Sequence, residues 1–244
     1  MSTTIQTIPI LHLAIALVPV FALIAVLHRW SLDSLNALYG VLRMLVQLML
    51  IGYLLAFIFA ADNGWIIGGV LIVMVVAASW IALGNVPEQR LKLFGYALVS
   101  IVVVGGLTLL LVTQVILSLA TWYAPQYVVP LAGMIFATSM NSISLSVERL
   151  TAELDRGVSY EDARGIALNA ALIPLINSLF AVGLVSLPGM MTGQILSGIS
   201  PFIAARYQIM VMCMLFTAAG FSAVIFLLIA RTVLIKNSRS AAVG

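Results

Sequence analysis

The stretch WIIGGVLIVMVVAASWIAL, residues 65–83, contains no charged side chain. Wound as a helix at 1.5 Å per residue it spans about 28 Å, close to the ~30 Å hydrocarbon thickness of a bilayer. Acidic Asp62 and polar Asn63 precede it, and Gly84, Asn85 and Pro87 follow it, so the run is bounded at both ends by residues that stop helices. Runs of this kind recur along the whole chain, at roughly 8–27, 40–60, 65–83, 95–119, 127–147, 168–187 and 203–230. Only 8% of the residues are charged, against about 25% in an ordinary soluble domain. The pattern predicts an all-α integral membrane protein with about seven transmembrane helices, as a single transmembrane domain over 1–244. The first apolar stretch has no basic residue before it and no small-residue cleavage site. It reads as a retained span rather than a signal peptide.

The basic residues predict orientation. Arg29, Arg43, Arg90, Lys92, Arg149, Arg156, Arg164, Arg231, Lys236 and Arg239 fall on one side of the seven-span scheme, and Arg206 falls on the other. The positive-inside rule then places the N-terminus outside and the C-terminus in the cytoplasm of a multi-pass inner (plasma) membrane protein. A net charge of +3 on so apolar a chain bears on topology and gives no reason to expect nucleic acid.

Charge is concentrated in one place. ERLTAELDRGVSYEDAR, residues 148–164, holds eight of the nineteen charged residues. ERLTAELDR reads as a short helix, Gly157 as its left-handed terminator, and Ser159 with Asp162 three residues on as a capping box that starts the next helix. Glu161 and Asp162 favour the positive end of that helix. The unit over 148–167 is a helix–glycine–helix lever on the cytoplasmic side, running into span six. The same spacing also fits a solvated loop that holds two spans apart.

Inside the spans no carboxylate lies deep, and the two histidines, His12 and His28, sit toward opposite ends of span one. A buried proton carrier of the kind proton-coupled carriers use is therefore missing. With one cysteine, Cys213, and no HExxH, GxSxG or P-loop pattern, the chain reads as neither a metal-dependent enzyme nor an ATPase, and no cofactor is expected. The remaining polar groups are amides and hydroxyls. Ser139, Ser142 and Ser146 share one face of span five with Asn141 beside it; Asn177 and Ser178 follow Pro174 in span six; Arg43 and Gln47 are four apart in span two. Arg43, Gln47, Asn141, Ser142, Asn177 and Ser178 are the substrate-pathway candidates. Helix–helix adhesion is the alternative for the serines, and snorkelling to the interface for Arg43. The methionines cluster late, at Met134, Met140, Met190, Met191, Met210, Met212 and Met214, and read either as apolar filler or as a thioether path for a soft metal. In the outer connection LPGMMTGQILSGIS, 187–200, Pro188, Gly189, Met190, Met191, Gly193 and Gln194 form a candidate gate, the two glycines allowing close backbone approach. Ser200 and Pro201 read as the start of the last span.

The segments LRMLVQLMLIGYLLAFIF (42–59), VPLAGMI (129–135), ALIPLINS (171–178), VGLVSLPGMMTGQILSGISP (182–201) and RYQIMV (206–211) resemble the FetB family, permease subunits of a bacterial ABC transporter assigned to iron export, to which plant aluminium-tolerance half-transporters are similar. The resemblance covers about residues 40–215. It implies a permease subunit, two copies working with two copies of a separate ATP-binding subunit, moving iron or another metal, free or complexed, outward. The island then resembles the ATPase-docking element of ABC permeases through Ala152, Glu153, Gly157 and Ala163. The expected docking set is Glu153, Arg156, Gly157, Tyr160, Glu161, Asp162, Ala163 and Arg164, with Arg156, Tyr160 and Glu161 projecting most. An ATPase-independent carrier or channel is the alternative. Iron prefers oxygen or nitrogen ligands, so these walls suit a chelated or conjugated substrate better than a bare iron ion.

Overall fold

The computed structural model describes residues 8–60 and 63–235, so Asp62, Lys236 and Arg239 of the charge argument lie outside the described residues. The helices are α1 (Ile10–Arg29), α2 (Ser34–Ala60), α3 (Gly64–Ala82), α4 (Arg90–Leu110), α5 (Pro125–Asp155), α6 (Tyr160–Ala181), α7 (Gly189–Leu196) and α8 (Pro201–Ile229). All but α7 are long and apolar enough to cross a membrane, α4 together with the turns flanking it, which bears out the seven expected spans. The chain groups into two compact units, one ending at Asp62 and the other beginning at Asn63.

The first unit is a pair of helices, α1 and α2. No residue of α1 is buried, as an apolar helix facing lipid allows. The chain reverses through Ser31, which takes φ +56°, and the Asp33 carboxylate accepts the Asn36 N–H at 3.0 Å to open α2. That cap starts the second span at Ser34, earlier than the expected 40.

In the second unit, Asn63 accepts the Trp65 N–H at 2.9 Å and starts α3. Arg90 satisfies the other end: its Nε and Nη2 donate to the Trp80 carbonyl at 2.9 and 2.6 Å, with the guanidinium 4.1 Å from the Trp80 ring centre. A π-helical turn, Leu111–Ile116, ends the fourth span. Helix α5 is the central element. Its side chains Ile135, Ile143, Val147 and Leu150 are fully buried, packed among α3, α4, α6 and α8. Gly105 of α4 meets it closely: a Cβ there would lie 2.8 Å from the Phe136 ring. Across from α8, Ser222 Oγ donates to Ser139 Oγ at 3.0 Å and Ser139 Oγ donates to the Ala218 carbonyl at 3.3 Å, beside the small buried Ala218, Ala219 and Ala223. Helix adhesion is thus the role of Ser139.

Other boundaries also differ from the sequence reading. ERLTAELDR is not a separate short helix; it is the last part of α5, whose 31 residues run about 46 Å at 1.5 Å per residue and so overshoot the hydrocarbon layer. No breaker separates Ser146 from Asp155, and the buried face continues from Ile143 through Val147 and Leu150 to Glu153. The sixth span ends at Ala181, not 187. There Gly183 takes φ +81° and its N–H donates to the Ser186 carbonyl at 2.9 Å, turning the chain before Pro188.

Candidate functional site

The charge island folds as a tight helix–turn–helix. Val158 N–H reaches back to the Glu153 carbonyl at 3.1 Å and Gly157 N–H to the Leu154 carbonyl at 2.9 Å. These are the paired bonds of a Schellman ending, and they require the φ of +82° that Gly157 adopts. Ser159 then caps α6, accepting the Asp162 N–H at 3.2 Å while its own hydroxyl donates to the Asp162 carboxylate at 2.7 Å. The left-handed glycine and the Ser159–Asp162 cap were both legible in the sequence.

The faces of this element differ from expectation. Tyr160 does not project; it is buried, and its hydroxyl donates to the Leu227 carbonyl near the end of α8. Its position explains this: Tyr160, Ala163, Ala167 and Ala171 lie three to four residues apart and form the buried stripe of α6. Ala163 is accordingly fully buried. Glu153 also turns inward, 5% exposed, held by Arg149 at 2.6 Å and Arg156 at 3.1 Å. Arg156, Gly157, Glu161, Asp162 and Arg164 remain exposed. Glu161 pairs with Arg231, just past α8, and the Arg231 guanidinium lies 5.3 Å from the Tyr160 ring centre. The start of α6 is therefore tied to the end of α8 by a buried hydroxyl, an ion pair and a cation over a ring. The Tyr160–Leu227 and Glu161–Arg231 ties were missed in the sequence, where nothing joins residues so far apart. The alanine stripe, which marks Tyr160 as internal, was there to be found.

The pathway candidates are dispersed. Ser142 is buried and its hydroxyl has no partner. Asn141 and Asn177, both pathway candidates, are exposed, because they stand on the sides of α5 and α6 away from the shared core. Ser178 Oγ donates to the Pro174 carbonyl at 2.9 Å. Arg43 and Gln47 are exposed on α2 in the first unit.

The candidate gate is a helix rather than an extended connector. Pro188 occupies the capping position of α7, Thr192 N–H and hydroxyl both reach its carbonyl, and Gly198 at φ +88° ends the helix with a second Schellman pair. The close approach expected at Gly189 and Gly193 is not made within the chain: a Cβ at either would meet nothing within 4 Å. Gly193 lies on an open face of α7, while Gly189 borders the cavity beneath the helix. Pro201 begins α8 as read, although the Ser200 side chain makes no capping bond. Beneath α7 lies a cavity of about 350 Å³ between α5, α6 and α8, lined by Met134, Ser178, Pro188, Met190, Gln208 and Met212 among others. No group of three or more acidic, histidine or cysteine side chains able to hold a metal occurs among the described residues.

Seven apolar helices, a helix–glycine–helix element at one end of the bundle and a short helix over a cavity define a multi-pass helical membrane protein. Residues 10–234 match the model of the Uncharacterised protein family (UPF0014), and the chain belongs to that family. It is 37% identical to the UPF0014 membrane protein slr1647 of Synechocystis over 70% of this chain and 71% of that one. It is 34% identical to the Probable iron export permease protein FetB of Escherichia coli over 88% of this chain and 87% of that one. To Protein ALUMINUM SENSITIVE 3 of Arabidopsis thaliana it is 32% identical over 84% of this chain and 80% of the other. The resemblance read from the segments between 42 and 211 is thereby borne out. No solved structure matches significantly.

Proposed function

We propose that this chain is the permease subunit of an ABC transporter that moves a metal, free or complexed, outward across the inner membrane. The observation that carries the reading is the island: a rigid turn bearing exposed Arg156, Glu161, Asp162 and Arg164, tied at its base to α8. A solvated spacer needs no such anchoring. A surface that receives force from a soluble motor does, because the force must reach the spans without being lost in a hinge. Push on the turn, and α5, α6 and α8 move as one body. Similarity to the Escherichia coli relative, a probable iron export permease protein, supports the transport direction and the metal class.

In this reading the N-terminus is outside, the island is cytoplasmic, and α7 lies at the outer surface. Two copies pair with two ATPase subunits. The exposed amides Asn141 and Asn177 favour a neighbour or an aqueous path over lipid, since an amide facing hydrocarbon loses its hydrogen bonds. The test is affinity purification of the tagged chain from its native membrane. A small ATPase without spans, carrying a P-loop, should co-purify in equal amount. Recovery of the chain alone, still active in transport, would assign it to a self-sufficient carrier.

A further inference from the structure

The cavity under α7 has an unusual donor set. Met134 comes from α5, Met190 from α7 and Met212 from α8, so methionines of three elements line one space. Gln208 of α8 lines the same cavity; it is 6% exposed, and its Oε1 has no hydrogen-bond partner. A second cavity of about 350 Å³ shares Val182, Gln208 and Met212 and adds Met191 and Cys213. A buried amide oxygen without a partner is rare in a folded protein and calls for an occupant.

The lining decides the class of occupant. Neither cavity has a carboxylate or a histidine on its wall. A trivalent or strongly hydrated divalent ion would lose its water shell without gaining anionic oxygen ligands. A monovalent soft cation gives up less hydration and gains from thioether sulfur. Methionine is unbranched and flexible, so its sulfur can swing onto a small ion inside a space larger than the ion.

We propose that the cavity beneath α7 is a binding site for a soft monovalent cation of the copper(I) or silver(I) class, held by the thioethers of Met134, Met190 and Met212 with the Gln208 amide oxygen. The site deepens the permease reading, on which the cation's role as cargo rests; binding itself does not depend on it. Pro188 and Gly189, at the start of α7, form part of the cavity's wall, so a shift of α7 would open or close it.

The experiment uses the full chain, purified in detergent, with Cys213→Ser to remove the thiol that would otherwise capture silver. Silver(I) is titrated by equilibrium dialysis with metal analysis, and the ion's surroundings are read by X-ray absorption. One tight site per chain is expected, with sulfur in the first shell and a rise in the thermal unfolding midpoint. Adding Met134→Leu, Met190→Leu and Met212→Leu, which nearly conserve volume, should weaken binding at least a hundredfold and abolish the thermal shift while the metal-free midpoint stays close to the parent's. Absence of silver binding by the Cys213→Ser chain, equal binding by the triple-leucine chain, or an equal thermal shift with iron(III) would each overturn the site. ATPase co-purification from the same preparations separates the two claims: failure of silver binding with the ATPase retained sinks the cation site and leaves the permease reading standing.

Discussion

Tyr160 and Gly157 sit three residues apart and do opposite work. Gly157 permits a backbone that other residues adopt at a cost of about 1–2 kcal/mol, and its φ of +82° holds the turn between α5 and α6. Tyr160 fixes where that turn sits, through its bond to the Leu227 carbonyl. Tyr160→Phe keeps the ring and removes one hydrogen bond, so unfolding in detergent should become easier by about 1 kcal/mol. If the account is right, it should also loosen the link between ATP hydrolysis and transport, seen as more ATP used per metal moved. An unchanged ratio would make the hydroxyl merely structural. The left-handed glycine was legible because Schellman endings have a sequence signature. The inward turn of Tyr160 was misread because an aromatic beside charged residues looks like a surface residue until its alanine stripe is counted.

At the scale of elements, small residues set how closely α5 approaches its neighbours. A Cβ at Gly105 would lie 2.8 Å from the Phe136 ring and 3.2 Å from Ile135, whereas one at Gly106 would meet nothing within 4 Å. Gly105→Ala should therefore destabilise by about 1–3 kcal/mol through overpacking, while Gly106→Ala should be neutral or slightly stabilising; thermal unfolding of the two variants side by side makes the comparison. Helix α7 offers a separate prediction. Gly193→Leu should leave the fold of the single chain undisturbed, since a Cβ there meets nothing within 4 Å. It should nonetheless abolish transport, with membrane insertion and ATPase binding intact, if α7 closes against a moving neighbour. Normal transport by that variant would reduce α7 to a connector. The spans themselves were legible from apolar run length alone. Their ends were less so: α5 runs on through charged residues because its buried face continues to Glu153, and α6 stops early because Gly183 turns the chain inside an apolar run.

For the whole molecule, orientation and coupling are the claims that matter. In the alternating seven-span reading of the sequence, the basic residues other than Arg206 are assigned to the side of the island. A cytoplasm-only reporter fused after Arg239 should be active and one inserted near Gln194 silent; the reverse at either position contradicts the topology. What the sequence could not show is the closure of the island onto α8, because Glu161 and Arg231 are seventy residues apart and exposed charges of opposite sign are common. Nor could it show that Asn141 and Asn177 face outward, since helical spacing alone does not say which face a neighbour covers.

The central claim is that a soluble ATPase grips the turn at 156–164. The most direct measurement is the ATPase rate of the assembled complex carrying Arg156→Glu together with Gly157→Val. The account predicts that this double variant reaches the membrane in normal amount, because the spans are untouched, yet fails to bind the ATPase or to stimulate its hydrolysis. Binding and stimulation equal to the parent's would contradict it, and would move the grip to Arg90 and Lys92 or to the C-terminal segment.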